Sequence, residues 1–110
     1  MSQLLKDARN LAANFRNSTV YLDYKKAKYA LESDPLLLER VKAYKENSLA
    51  LEMKRMTEGA VSFDEEKRVA HQYSELSLQP VCGAFLACEF EMMRVYKEVM
   101  DAVGEGFEFD

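Results

Sequence analysis

Residues 80–103 read PVCGAFLACEFEMMRVYKEVMDAV, and this run decides the fold. Val81, Phe85, Cys88, Met92, Val95, Val99 and Ala102 form an unbroken alternation of four and three, the spacing of a helix and not of a strand. A second row, Cys82, Leu86, Met93, Tyr96, Met100 and Val103, widens the seam into a broad face. From Val81 to Phe90 the only charge is Glu89, whereas Glu91, Arg94, Lys97, Glu98 and Asp101 give the later half a wet side. The first half therefore needs apolar cover all round. At 1.5 Å per residue the helix runs roughly 35 Å, nearly the width of a small domain, and 110 residues leave little chain to cover it. A second copy is expected to complete that cover, with Val81, Phe85, Leu86, Cys88 and Met92 as the self-association face.

The preceding chain supplies the helices that pack on this one. Leu78, Gln79 and Pro80 make the link, since Pro is tolerated only in a first helical turn. Before it, Ser62-Phe63-Asp64-Glu65 matches a capping box and opens a short helix to about Ser77, with Val69, Ala70, Tyr73 and Leu76 as its apolar residues. Asp34-Pro35 opens a longer helix to near Glu58, carrying Leu37, Val41, Tyr44, Ser48 and Leu51 on one line. Gly59 suits the left-handed position that ends it. Thr19 to Glu32 presents Val20, Tyr24, Ala27 and Leu31 on one stripe, and Ser2 to Asn17 presents Leu4, Ala8, Leu11 and Phe15. The fold expected is all-α: about five helices in an antiparallel bundle, one domain over residues 1–110, oligomerising through the long C-terminal helix. Gly104 is expected to close that helix and leave 104–110 as a flexible acidic tail. Its Phe107 and Phe109 either dock into a groove or form a loosely packed end.

Composition narrows the function. Apolar residues at 48% and charged residues at 31%, with four Gly and two Pro, describe a folded helical chain. No apolar run is long enough to span a bilayer, and Met-Ser-Gln-Leu-Leu-Lys-Asp lacks a signal core, so a cytoplasmic location and no membrane partner are expected. A net charge of −4 argues against a general grip on nucleic acid, which needs clustered excess Lys and Arg. Tyr21, Tyr24, Lys25, Lys26, Lys28 and Tyr29 mix bases with aromatics, but on a helix they point several ways, and a solvated face is the simpler account.

Catalytic and metal chemistry find no footing in the residues. His71 is the lone histidine, with Glu75 one turn away as an ordinary surface pair. A di-iron site needs Glu three residues before each His, and Arg68 stands there. Cys82 and Cys88 lack the spacing of zinc or iron–sulfur loops, and a helix would point them apart as buried thiols. No catalytic residue, metal ligand or enzymatic activity is assigned. Glu89, if buried, needs a cation, for which Arg55 is the candidate; edge exposure is the alternative. Gly83, Ala84 and Ala87 leave room for another helix to approach closely.

Ser18-x-x-Tyr21-x-x-Tyr24-x-x-Ala27-Lys28, then Leu31 and Asp34-Pro35, and later Gln79-Pro80-x-Cys82 and Phe85-Leu86-x-x-Glu89 with the spaced Val95 and Val99, resemble the YlbF/YmcA family of small bacterial helical proteins, including its YheA-like branch. The resemblance covers nearly the whole chain and rests on packing and capping motifs. It implies a helical bundle that assembles as a dimer or higher oligomer without catalytic machinery. Members act as regulatory partners in competence, sporulation and biofilm formation, in a complex that influences messenger RNA processing by RNase Y and has been associated with cysteine-ligated iron–sulfur clusters. This chain departs from those members: the tail after Gly104 has no cysteine, and both thiols lie in the packed helix. No cofactor is therefore assigned. The function expected is a regulatory or adaptor protein with a self-association face and a second surface, at Tyr21, Lys25, Phe107 and Phe109, for a helical protein partner. The alternative is a module that binds a small ligand, metal or cofactor in a cavity lined by Met, Tyr and Cys.

Overall fold

The computed structural model describes residues 2–107 and contains five helices: α1 (Ser2–Arg16), α2 (Thr19–Glu32), α3 (Pro35–Glu58), α4 (Phe63–Leu78) and α5 (Pro80–Glu105). The starts of α2 to α5 follow from local hydrogen bonds. Ser18 Oγ accepts from the Tyr21 N–H at 3.4 Å, Asp34 Oδ1 from Leu37 at 3.3 Å and Ser62 Oγ from Glu65 at 3.1 Å, each binding an N–H that the first helical turn leaves unpaired. Gln79 does the same for α5, its Oε1 accepting from the Cys82 N–H at 2.8 Å while Pro80 takes the first helical position. At the other end of α3, Gly59 turns to φ +79° and donates to the Arg55 carbonyl at 2.9 Å. The five-helix, all-α expectation holds.

One boundary differs from the sequence reading. Helix α5 runs through Gly104 to Glu105, and Gly106 ends it by donating to Val103 at 3.2 Å. Gly104 meets nothing within 4 Å of where a Cβ would stand, so it is neither required nor refused by its surroundings. Gly83 has a strict local role. A Cβ there would stand 2.5 Å from the Ser77 carbonyl oxygen, so the tight turn from α4 into α5 depends on its absence.

Neighbouring helices run antiparallel. Asp23, Ala27 and Ala30 on α2 border the same groove as Val81, Ala84 and Cys88 on α5. On α3 and α4, Tyr44 meets Tyr73, Asn47 meets Gln72 and Lys54 meets Glu65. Among the described residues the core is small: Leu31, Val41, Leu76, Cys82, Phe85 and Leu86, with Tyr24, Ala27, Leu37, Leu38, Tyr44 and Val81 packed around it. One end of every helix except α1 meets there. Away from it α3 and α4 remain paired through Lys54–Glu65 and Arg55–Glu66.

The outcome is a thin molecule of 50 × 39 × 17 Å with a radius of gyration of 17.7 Å, against about 13 Å for a compact domain of this length. A thickness of 17 Å is about two helix layers, too few to enclose a helix on all sides. The accessible surface is 8551 Å², whereas a compact monomer of 12.7 kDa has about 6,200 Å². The surplus is roughly 2,300 Å².

Candidate protein interaction surface

Large apolar side chains are exposed on every helix, among them Leu4, Tyr29, Leu36, Phe63 and Phe90, and two clefts open where the helices part. Along the first half of α5, the side that faces α3 and α4 is closed: Cys82 is 0% exposed and Leu86 7%. Along the second half the same side is open, with Phe90 71% exposed, Met93 52% and Met100 45%. The cause is geometric. The α3–α4 hairpin leaves α5 after Tyr44 and Tyr73, whose tilted rings meet across it at 5.6 Å, and continues as a separate arm. Between arm and helix lies a cleft of about 500 Å³ floored by Leu86, with Leu49 and Tyr73 on one wall and Phe90 and Met93 on the other. A second cleft, of about 430 Å³, separates α1 from α5 and is lined by Leu11, Phe15, Tyr96, Val99, Met100 and Val103.

Rings tie the halves of the molecule together. Tyr96 meets Phe15 edge-on at 5.9 Å, Phe15 meets Tyr21 at 5.7 Å, Tyr21 meets Tyr24 at 6.3 Å and Tyr24 meets Phe85 at 5.9 Å. This ladder carries α1 back to the core, and such tilted and edge-on pairs each add about 0.5–1.5 kcal/mol beyond burial.

Charges are paired on the outer sides. Arg94 donates to Glu91 and Glu98, and Lys97 donates to Asp101 at 2.9 Å. The guanidinium of Arg94 holds the Glu91 carboxyl below the usual carboxylate range, and the bond to Asp101 raises the Lys97 ammonium. At the arm, Lys54 donates to Glu65 at 2.8 Å and Arg55 to Glu66 at 2.7 Å. The hydrogen bond from Lys54 lowers the Glu65 carboxyl, and the bond to Glu65 raises Lys54.

Several sequence-assigned residues change role. Phe85 and Leu86, expected under a second subunit, are covered by this chain: Tyr24 packs on Phe85, Lys45 Nζ stands 5.3 Å over its ring, and Leu86 joins the core with Val41 and Leu76. Helices α2, α3 and α4 converge on the first half of α5, where Ala84 and Ala87 remain exposed. Val81 and Cys88 border the shallow α2–α5 groove, half-buried, and Met92 is half-buried farther along. Tyr21 belongs to the ring ladder, Lys25 is exposed, Phe107 is exposed at the end of the described chain, and Phe109 lies outside the described residues. Glu89 pairs with Lys45 and not with Arg55, because α3 places Lys45 beside α5 and carries Arg55 out along the arm.

No chemical centre accompanies these surfaces among the described residues. No group of three or more His, Cys, Asp or Glu converges as a metal site. Cys82 faces the core and Cys88 the α2–α5 groove, both as free thiols, and burial pushes the Cys82 thiol up, away from the thiolate form. His71 Nε2 lies 3.0 Å from Glu75 on an exposed face. No helix among the described residues is long and apolar enough to cross a membrane.

Sequence reasoning missed the open stripe Phe90–Met93–Met100 as a surface, although Met93 and Met100 belong to the second apolar row of α5. The signal was the breadth of that face, which exceeds what four short neighbours can cover.

Comparison with known proteins gives the chain relatives. Residues 4–108 match the family described as "Control of competence regulator ComK, YlbF/YmcA". A UPF0342 protein of Caldicellulosiruptor bescii is 24% identical over 102 residues, covering 93% of this chain and 86% of its own. UPF0342 proteins of Desulfitobacterium hafniense and Caldicellulosiruptor saccharolyticus are 22% and 26% identical, over 93% and 89% of this chain and 82% of each relative. No solved structure matches the chain significantly.

Proposed function

The chain belongs to the YlbF/YmcA family, and from that premise we propose that it is a non-enzymatic regulatory protein whose activity is the making of helix-mediated protein contacts. The family's link to control of the competence regulator ComK supports the regulatory role. The observation that carries the reading is the set of large apolar side chains left exposed on α1, α3, α4 and α5, among them Leu4, Met53, Phe63, Phe90 and Met93, in a chain whose accessible surface exceeds that of a compact monomer by roughly 2,300 Å². Exposed apolar side chains that gather into patches mark protein contacts. One contact is self-association through α5. The other is an adaptor surface for a helical partner, at Tyr21, Lys25 and the Phe107 and Phe109 tail, in competence, sporulation or biofilm control or in RNase Y-dependent messenger RNA processing.

The test is affinity purification of the tagged protein from its native cells after brief cross-linking, with and without nuclease, read by mass spectrometry. The expected result is a defined protein partner retained after nuclease. Recovery of this chain alone, or of partners lost with nuclease, contradicts the adaptor reading.

A second reading has one observation in its favour. The α1–α5 cleft is walled almost wholly by apolar side chains, with Arg16 at its border, which suits a small amphipathic ligand. Native mass spectrometry of freshly purified protein tests it. A bound mass removed by organic extraction supports a ligand, and the bare chain mass opposes one.

A further inference from the structure

We infer that the cleft between α1 and the second half of α5 binds a linear fatty carboxylate of medium chain length, its carboxylate on the Arg16 guanidinium and its chain lying along the trough toward Ala8 and Val103. The inference rests on the small-ligand reading above and names the class of ligand.

The walls choose the chemistry. Helix α1 contributes Leu11 and Phe15, and α5 contributes Val99, Met100 and Val103; of all the side chains that line the cleft, only the Arg16 guanidinium and the Tyr96 hydroxyl carry a nitrogen or an oxygen. A sugar, a nucleotide or a peptide would bury many donors and acceptors here without partners, and each such group costs more than its apolar contacts return. A molecule with one polar end and an apolar body leaves nothing unpaired.

The two polar groups fix where the head lies and what sign it has. Arg16 is the last residue of α1, and its neighbour Phe15 meets Tyr96 edge-on at 5.9 Å, so both polar residues belong to one end of the cleft. Arg55 and Arg94 are each bonded to two carboxylates of this chain. Arg16 has no acidic partner among the described residues, and no other charged residue lines the cleft. A guanidinium in that position takes a carboxylate through two parallel hydrogen bonds.

Length and shape set the body. From Arg16 to Ala8 the α1 wall runs about 12 Å, and from Tyr96 to Val103 the α5 wall runs about 10 Å. An extended chain of about ten carbons has that reach. The volume, about 430 Å³, lies within the usual range of ligand sites. No residue of α1 is buried, so an alkyl chain laid between the two helices removes apolar surface of both from water together.

The test is a nitrogen–proton shift titration of the full chain with sodium decanoate below its micelle concentration, beside decanol and beside vesicles of phosphatidylglycerol. Decanoate is expected to saturate, with shifts confined to residues 8–16 and 96–103. Arg16→Gln is expected to weaken decanoate by roughly tenfold, the loss of one charge-assisted pair, and to leave decanol unchanged. Leu11→Glu, at a position 39% exposed, is expected to retain helicity by circular dichroism and to abolish binding of both compounds. Arg9→Gln, on the same helix outside the lining, is expected to change neither. If decanol binds as tightly as decanoate and Arg16→Gln alters neither, the carboxylate is overturned and the small-ligand reading stands. If neither compound saturates, both readings fall. Recruitment to the vesicles without saturable decanoate binding overturns the inference in favour of a lipid surface.

Discussion

Phe85→Ala tests the claim that the chain buries the first half of α5 by itself. Phe85 is 5% exposed, its ring lies 5.9 Å from that of Tyr24, and the Lys45 ammonium stands 5.3 Å above it. Truncation removes the buried ring and leaves a cavity that α2 and α3 close only in part, a loss of about 3–5 kcal/mol for Phe to Ala. The ring pair and the cation contact are contained within that figure. A chain of this length has about 5–15 kcal/mol in all, so the variant loses about a fifth of its stability or more. At about 4 °C per kcal/mol, its melting temperature falls by about 12–20 °C. The assay is thermal and urea unfolding followed by far-ultraviolet circular dichroism, at one fixed protein concentration. Phe85→Leu, which keeps part of the volume, is expected to fall between wild type and Phe85→Ala. A loss below about 1 kcal/mol for Phe85→Ala would refute the reasoning, since it would mean that the ring is not enclosed within one chain.

Three further predictions follow from named contacts. Gly83→Ala forces a Cβ to 2.5 Å from the Ser77 carbonyl oxygen, and the shift of the α4–α5 turn is expected to cost about 1–3 kcal/mol in urea unfolding; an unchanged midpoint would show the turn to be pliable. Asp34→Ala removes the side chain that accepts from the Leu37 N–H at 3.3 Å and should cost about 0.5–2 kcal/mol, with Asp34→Ser restoring most of it. At the arm, Lys54 holds the Glu65 carboxyl below its ordinary range. A depressed folded value gives stability that is present above the unfolded carboxylate value and lost as pH falls through the folded one. Lys54, raised by the same bond, contributes below its unfolded value and loses that contribution as pH rises through the folded one. Protection of the amides in residues 54–66, taken relative to their intrinsic exchange rates, should therefore fall as pH drops through the folded Glu65 value, and Lys54→Met should move the carbon-detected titration of Glu65 upward. A Glu65 titration indifferent to Lys54→Met would remove the ion pair from the account.

The helices were legible because their signals are local. Asp34-Pro35, Ser62 with Glu65, Gly59 and Gln79-Pro80 each act through bonds within four residues, and all four mark boundaries in the fold. Gly104 misled because a glycine near a helix end is permitted to turn but is not obliged to, and Gly106 makes the closing bond. The candidate surface was half legible. The breadth of the apolar face on α5 announced that something must cover it, but which half the chain covers depends on where the α3–α4 hairpin diverges. That is set by long-range contacts such as Tyr44 with Tyr73 and Lys45 with Glu89, which no local spacing encodes. Glu89 illustrates the difference: its need for a cation was readable, whereas the choice of Lys45 over Arg55 required the path of α3.

The central claim is that this chain's exposed apolar surface is a protein contact and that α5 carries it. Sedimentation equilibrium of the wild-type protein across the micromolar range, in moderate salt, tests it most directly. The account predicts a mass of two or more chains, held at the lowest concentrations and little changed by added salt, because the contact is apolar and Arg94 and Lys97 are paired within the helix. A single-chain mass throughout, in a protein that still unfolds cooperatively, would contradict it.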